Sequence, residues 1–510
     1  RQSVQSSVEN SGPSPSTSRL LVQIQPCRLG EARGRKPPRS ATGVHPDHGL
    51  RSLDASFRFH FQRVFSLFGH ACRMRQSAVL MCLVFGELWA ADNRGRQVIS
   101  QEVQPRVGST IPVQPPVPRR PFKLPPGVSL SDQLSTDDAV AIALWNNSAL
   151  EANLAAVGIA QADLLDAGLL KNPNFQSLIP VGAKPFEFLL NWPIEDLWQR
   201  KKRVLAARQN LDAVATGLVQ NGLNLVRDVK TAHADLWLAE QRAETLRESA
   251  ALRERIAKLT ERRKDAGDAS GLEVSLAWAD ARSAGELAKR AAGDIEVARV
   301  RLHQLIGLRD SPRALSAIRW TDWPAIPRTD ELLQSAYTSR PDLRAAELAI
   351  EASSYRAKWQ RSRIFNMVIP MLSVKESGSP QAVRAGPGLT LEIPIFNRNQ
   401  AQIARADAEV VQSAWRYAAL RDQVEGEVRD AMARLEQARA SLELLRTELK
   451  PIVEQAIGQT ETAYRNGDAS YLNVLETTRQ KFDAILRERE AEAALARAHA
   501  ELERSVGKKI

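Results

Sequence analysis

The segment TERRKDAGDASGLEV, Thr260 to Val274, lies without a gap over TETAYRNGDASYLNV, Thr460 to Val474. Eight of the fifteen positions are identical, and each copy carries GDAS, at Gly267–Ser270 and at Gly467–Ser470. Glycine takes positive φ without strain, and Asp or Ser caps a following helix. Both copies stand between long helical runs, so the text describes a tight turn between two helices, made twice.

Outward from these turns the same order of elements repeats. Upstream of the first, Leu197 to Gly267 runs for about 70 residues without proline. Leu218, Leu225, Ala232, Ala239 and Leu246 hold one heptad position, and Val229, Leu236, Ala243 and Ala250 the other. Helix resumes from about Leu272 to Leu308. A second helical run, Asn397 to Gly467, has one proline, Pro451, and the last helix ends near Val506. At 1.5 Å per residue a 70-residue helix reaches about 105 Å, and the shorter helices about half of that.

A strand–turn–strand precedes each long helix. The first is NPNFQSLIPVGAKPFEFLLNWPIEDLW and the second FNMVIPMLSVKESGSPQAVRAGPGLTLEIPIF. Both break at Gly, Ser or Pro and close in matching form, at Trp192-Pro193-Ile194 and Ile393-Pro394-Ile395. Helical text before the first hairpin begins at Ser135-Thr136-Asp137-Asp138 and continues to about Lys171; before the second it runs from about Asp330 to Ile364.

The expected fold is therefore mainly α, with long antiparallel coiled-coil helices, four β-strands and an internal duplication. The first repeat spans 131–309 (hairpin 173–195, tip turn 265–272) and the second 330–510 (hairpin 365–396, tip turn 465–472), joined by 310–329. Four strands cannot close a membrane barrel, since about eight are needed, and open edges are forbidden in lipid. The hairpins must then pool strands between chains, and three chains supply twelve.

The N-terminal region reads differently. From Met74, MRQSAVLMCLVFGELWAADN has the basic start, apolar centre and small-residue cleavage point of a secretory signal peptide, 74–91. Residues 1–73 read as a non-native or disordered leader. Residues 94–128 hold eight prolines and read, within 92–130, as an extended linker. No other stretch offers the roughly 20 apolar residues of a spanning helix.

Composition excludes several function classes. The net charge is +11, but residues 1–90 supply +7 of it and the remainder interleaves both signs without a basic stripe. Nucleic acid is not an expected partner. All three cysteines, Cys27, Cys72 and Cys82, precede residue 90, so the body has no disulfide and no thiolate metal site. Only His233, His303 and His499 follow, widely spaced. No GxSxG, HExxH, P-loop or dinucleotide fingerprint stands in a fitting context, so neither an enzyme nor a cofactor is expected.

The duplicated order, the two tip turns and the passage LEIPIFNRNQAQIARADAEV, Leu391–Val410, together resemble the TolC-type outer-membrane efflux proteins. The passage is most similar to the outer-membrane components of heavy-metal (cobalt-zinc-cadmium type) RND efflux systems, which share its Pro-x-Phe-x-Arg-Asn ending. The resemblance covers about residues 130–507. It implies a homotrimer, a 12-stranded barrel in outer-membrane lipid and a periplasmic helical tunnel. The tunnel meets an inner-membrane pump through a periplasmic adaptor.

The same resemblance puts the constriction at the tips, where Glu476, Glu273 and Asp468 are candidate pore acids; first-turn acids also favour the helix dipole whether or not they face a pore. Gly267, Leu272, Gly467 and Leu472 are candidates for adaptor docking or for turn geometry and packing. Phe186, Phe188, Trp192, Phe365 and Phe396 are candidates for interfacial aromatics or ordinary packing. Met367 and Met371 share a strand face, as lipid-facing or packed side chains rather than metal ligands. A non-membrane coiled-coil scaffold would explain the helices but neither the hairpins nor the export signal, and an adaptor carries one helical hairpin, not a duplicated unit.

Overall fold

The computed structural model describes residues 97, 99–110, 122–128, 130, 133–178, 186–308, 315–320, 325–364, 367–377, 382–466 and 468–510. All belong to one compact unit, Ser77–Ile510. The leader, the signal peptide, Phe365 and Gly467 lie outside the described residues.

Ser135 caps α1, Thr136–Asn146, by accepting the Asp138 N–H. The sequence suggests one helix onward to about Lys171, but the structure breaks it at Asn147. The Asn147 side chain accepts the N–H groups of Ala149 and Leu150, both at 3.0 Å. Its own N–H still closes the last turn of α1 on Ala143. A side chain that competes for backbone donors ends one helix and caps the next, so α2, Ser148–Gly168, starts afresh.

Strands β2, Asn174–Leu178, and β3, Glu187–Asn191, follow a two-residue β1, Gln133–Leu134. Helix α3, Asp196–Asp265, is unbroken over 70 residues, about 105 Å. Helices α1 and α2 lie along its first part and α4, Gly271–Ile306, along its second. Heptad residues Leu218, Leu225, Val229, Ala232, Leu236 and Ala243 are buried in that seam. Each large aliphatic among them stabilises the fold by about 1.5–3 kcal/mol.

The second half repeats the order. A short β4, Ser316–Ala317, pairs parallel with β1. Then come α5, Thr329–Ser339, α6, Pro341–Ser362, β5, Val368–Ser377, β6, Ala382–Leu391, α7, Gln400–Leu444, α8, Lys450–Asn466, and α9, Tyr471–Val506. The glycines that close α4 and α9, Gly307 and Gly507, keep the offset of the tip glycines. Unlike α3, the second long run is interrupted by a π-turn, Leu445–Leu449, between α7 and α8. Its cause is Pro451, which lacks an N–H and whose ring would press on the carbonyl four residues back; a wider turn relieves both. Arg446 and Lys450 at this turn hold the buried Glu488 of α9, and Arg446 also holds Glu492.

Residues 99–107 are helical rather than extended. The prolines of the expected linker start only at Pro105, and Ile99 and Val103, one turn apart, are both buried. Val103 packs on Gly222 of α3, so tertiary burial outweighs the local composition. The main core joins this segment to α1–α4, with Trp237 edge-on to Trp320. Fully buried His233 contacts the Leu134 carbonyl through Nε2 at 2.9 Å and Thr136 Oγ1 through Nδ1 at 3.2 Å. A carbonyl only accepts, so Nε2 carries the proton and Nδ1 accepts from the hydroxyl. Burial also lowers the His233 pKa, so the ring is neutral and structural.

Candidate functional site

The two hairpins form one antiparallel sheet in the order β2-β3-β5-β6. Its register pairs Phe188 with Val374, Leu190 with Leu372, and Leu372 with Pro387. Side chains alternate across a strand. One face therefore carries Phe175, Phe188, Leu190, Val368, Leu372, Val374, Leu389 and Leu391. The other carries Asn174, Gln176, Glu187, Asn191, Ser373, Lys375, Arg384 and Thr390, with Leu178, Leu189, Ile369 and Met371 among them. Phe175, Phe188, Leu190, Leu372, Leu389 and Leu391 are exposed. The Phe175 and Phe188 rings stack at 6.0 Å between centroids. Met371 lies against Gly388, where a Cβ would come within 2.6 Å of its Cγ. It is a packing residue on the polar face.

At the sheet's helical end, chain direction is held by polar junctions. Asp196 is buried and accepts from Lys171 N–H at 3.0 Å and Arg203 Nη1 at 3.3 Å. Arg200 and Arg203 also donate to the closing carbonyls of α2, on Gly168, Ala167 and Leu169. In the second half Asn399 has φ 63° and donates Nδ2 to the Gln360 carbonyl at 2.7 Å. Asparagine tolerates this left-handed conformation better than most residues, which accounts physically for the Arg398-Asn399 ending of that passage.

At the opposite end of α3, Gly267 has φ 91°, with open space where a Cβ would stand. Ser270 and Glu273 form a reciprocal capping box: Ser270 Oγ accepts the Glu273 N–H, and the Glu273 carboxylate accepts the Ser270 N–H at 3.0 Å. In the second copy Ser470 caps α9 by accepting the Asn473 N–H. The serines, not Asp268 or Asp468, are thus the caps. Asp468 is exposed and its N–H closes on the Ala463 carbonyl. Glu476 is exposed and accepts from Gln480 Nε2 at 3.0 Å. Leu272 and Leu472, at matching places, are 70% and 62% exposed.

Behind these tips the two halves meet. Ala257, Ala277 and Ala281 of the first pack on Tyr464, Tyr471 and Val474 of the second. Asp280 of α4, 8% exposed at its side chain, accepts from Arg253 of α3 at 2.7 Å and from Arg479 of α9 at 3.1 Å. Sequence reasoning misses this tie, because its members are distant in the chain. The available signal is an acid interrupting the alanine seam Ala277, Ala281 and Ala284.

A profile of the family described as "Outer membrane efflux protein" matches residues 185–308 and 332–508, which is more than half of the chain. The chain belongs to that family. It is similar to the cobalt-zinc-cadmium resistance protein CzcC of Cupriavidus metallidurans, 24% identical over 69% of this chain and 85% of the relative. In fold it is similar to CusC, with a TM-score of 0.62 and 20% identity over 77% of this chain and 99% of that one. It is likewise similar to the outer-membrane channel OprN, with a TM-score of 0.60 and 21% identity over 73% of this chain and 90% of that one.

This efflux protein is an outer-membrane exit duct with a transport role and no catalysis. Among the described residues no helix is long and apolar enough to cross a membrane. Of the aromatic candidates, Phe186, Phe188, Trp192 and Phe396 are all exposed around the sheet, Phe396 at 90%. Glu273 is tied into its capping box, whereas Glu476 leaves one carboxylate oxygen outside its single hydrogen bond to Gln480.

Two outcomes at the tip are expected. Asp280→Ala leaves Arg253 buried without its counter-charge and costs about 3–5 kcal/mol, whereas Arg479→Ser, at a half-exposed partner, costs about 1 kcal/mol or less. Urea unfolding of the two variants, read at the tip helices, orders them. Second, burial, with Asp280 adding to it, pushes the Tyr471 hydroxyl up to about 12. The unfolded chain ionises first, near 10, so this contribution is whole below pH 10 and lost between about 10 and 12. In Tyr471→Phe the alkaline loss of tip stability over that window shrinks, as an unfolding series against pH would record.

Proposed function

We propose that three copies close one 12-stranded barrel in the outer membrane, through which a periplasmic adaptor and an inner-membrane pump expel heavy-metal cations. One observation carries the barrel: a four-stranded sheet, mostly apolar on one face and mostly polar on the other, whose strands β2 and β6 each have an unpaired edge among the described residues. Open edges are not tolerated in lipid, and alternation of apolar and polar faces is the pattern of a water-filled barrel. Three copies supply enough strands to pair every edge.

In this reading 131–309 and 330–510 are duplicated half-molecules, and Phe186, Phe188, Trp192 and Phe396, with Phe365, mark the lipid interfaces. Glu476, with Asp468 and Glu273 nearby, narrows the periplasmic mouth as a ring of carboxylates that attracts cations. Leu272 and Leu472, beside Gly267 and Gly467, offer the adaptor an apolar footing. The similarity to CzcC, whose name specifies cobalt, zinc and cadmium resistance, favours metal cargo.

The test is the native mass of the protein extracted from outer membranes in detergent. A heat-sensitive trimer supports the pooled barrel; a monomer absent from the membrane fraction overturns it. Cargo is tested by deletion: sensitivity to metals supports the assignment, and sensitivity to organic drugs alone removes it.

A further inference from the structure

The polar face of the sheet is uneven in charge. Its register sets Leu178, Glu187, Lys375 and Arg384 side by side across β2, β3, β5 and β6. This is the outermost row in which all four strands pair, at the end remote from α3 and α7. Lys375 is seven residues beyond Val368, the first residue of β5, so about 23 Å along the strand at ~3.3 Å per residue.

Two features of the row are unusual for a sheet. Lys375 and Arg384 are directly opposed on neighbouring strands, an arrangement that is destabilising for like charges. Their one acidic neighbour, Glu187, accepts from Ser373 Oγ at 3.3 Å. Among the described residues neither Lys375 nor Arg384 forms an ion pair, and both are exposed. The other polar residues of this face, such as Gln176, Asn191 and Thr390, are uncharged.

We infer that Lys375 and Arg384 form a cationic girdle at the outer end of the duct, selecting for anions over cations there. The inference rests on the barrel reading, which turns the polar face inward. Each copy then contributes two cations against one carboxylate to the same ring, and a ring of fixed charge sets which ions pass. With carboxylates at the periplasmic mouth, the two ends of the path carry opposite signs. A cation is drawn in at the pump side and meets the same barrier at the outer end in either direction, so its net outward passage there depends on supply from the pump.

The experiment is ion selectivity in planar lipid bilayers, measured from the reversal potential in a KCl gradient. The full protein is compared with the double variant Lys375→Gln/Arg384→Gln and with Glu187→Gln. Loss of the two cations should lower the chloride-to-potassium permeability ratio several-fold, and loss of Glu187 should raise it. Both shifts should grow as salt falls from about 0.1 M to about 0.01 M, because the Debye length grows from about 10 Å to about 30 Å. Channels that form normally with unchanged selectivity in both variants overturn the girdle and leave the duct intact. If the unaltered protein forms no channels at all, the barrel reading itself fails, and the girdle with it.

Discussion

Gly307→Ala is expected to destabilise the whole unit severely. Gly307 closes α4 with φ 75°, and a Cβ there would stand 2.4 Å from the Asn146 carbonyl oxygen and 2.7 Å from the Asn146 Cβ. The left-handed conformation alone costs a non-glycine residue roughly 1–2 kcal/mol. The collision adds more, because neither partner can yield. Asn146 is the last residue of α1, and its side chain donates to the Lys123 and Ile142 carbonyls. The adjoining Asn147 donates to the Leu305 carbonyl on α4 at 2.9 Å. Moving either backbone breaks the packing of α1 on α4. The total should exceed about 4 kcal/mol, a large share of the 5–15 kcal/mol that holds a typical domain. The tip glycine is the control: Gly267→Ala meets nothing within 4 Å and should cost only the conformational part. Urea unfolding of the two variants separates collision from conformation, and equal losses would show that the contact with Asn146 is unimportant.

The second large effect is expected on the apolar face of the sheet. Leu190 and Leu372 are register partners, Leu372 near the middle of β5 and Leu190 one residue from the end of β3, so the double variant Leu190→Arg/Leu372→Arg puts two cations within the lipid-facing band. Each costs about 2–4 kcal/mol at the bilayer midplane, and the pair should abolish recovery from the outer-membrane fraction. Ser373, one residue along, lies on the polar face and pairs with Gly386, which leaves room beside it. Ser373→Arg should therefore assemble normally. Equal recovery of the double variant and the control would mean that the two faces have been assigned the wrong way round.

Local features of this fold are legible in the sequence, and long-range ones are not. The GDAS turns, the capping serines and the prolines that close each hairpin act within a few residues, and each announces a helix or strand boundary. Leu272 and Leu472 can be placed at the tips for the same reason. The pairing of β3 with β5 joins segments nearly 200 residues apart and has no local signature. The Asp280 tie to Arg253 and Arg479 likewise needs three helices already packed. Residues 99–107 become helical only because α3 offers a surface for Ile99 and Val103. Asn147 looks like an ordinary helix interior residue until its side chain is seen capturing two backbone N–H groups.

The π-turn before Pro451 has a consequence for phase. Above it the buried stripe of α7 steps by four and three residues through Val424, Val428, Ala431, Leu435, Ala438 and Leu442. Continued unchanged, that rhythm would reach 456 and 463. The buried residues below are instead Ile457 and Tyr464, each one position late. The looser turn absorbs a single surplus residue and brings both stretches round to the same neighbour, α9. Adding one residue to 445–449 would overfill the turn and rotate everything below by about 100° relative to what lies above, turning Ile457 and Tyr464 toward water, whereas removing one would carry both on in the rhythm of a regular helix. The lower arm of this helix is thus keyed to the upper one by a count, and the turn can lose a residue far more readily than it can gain one.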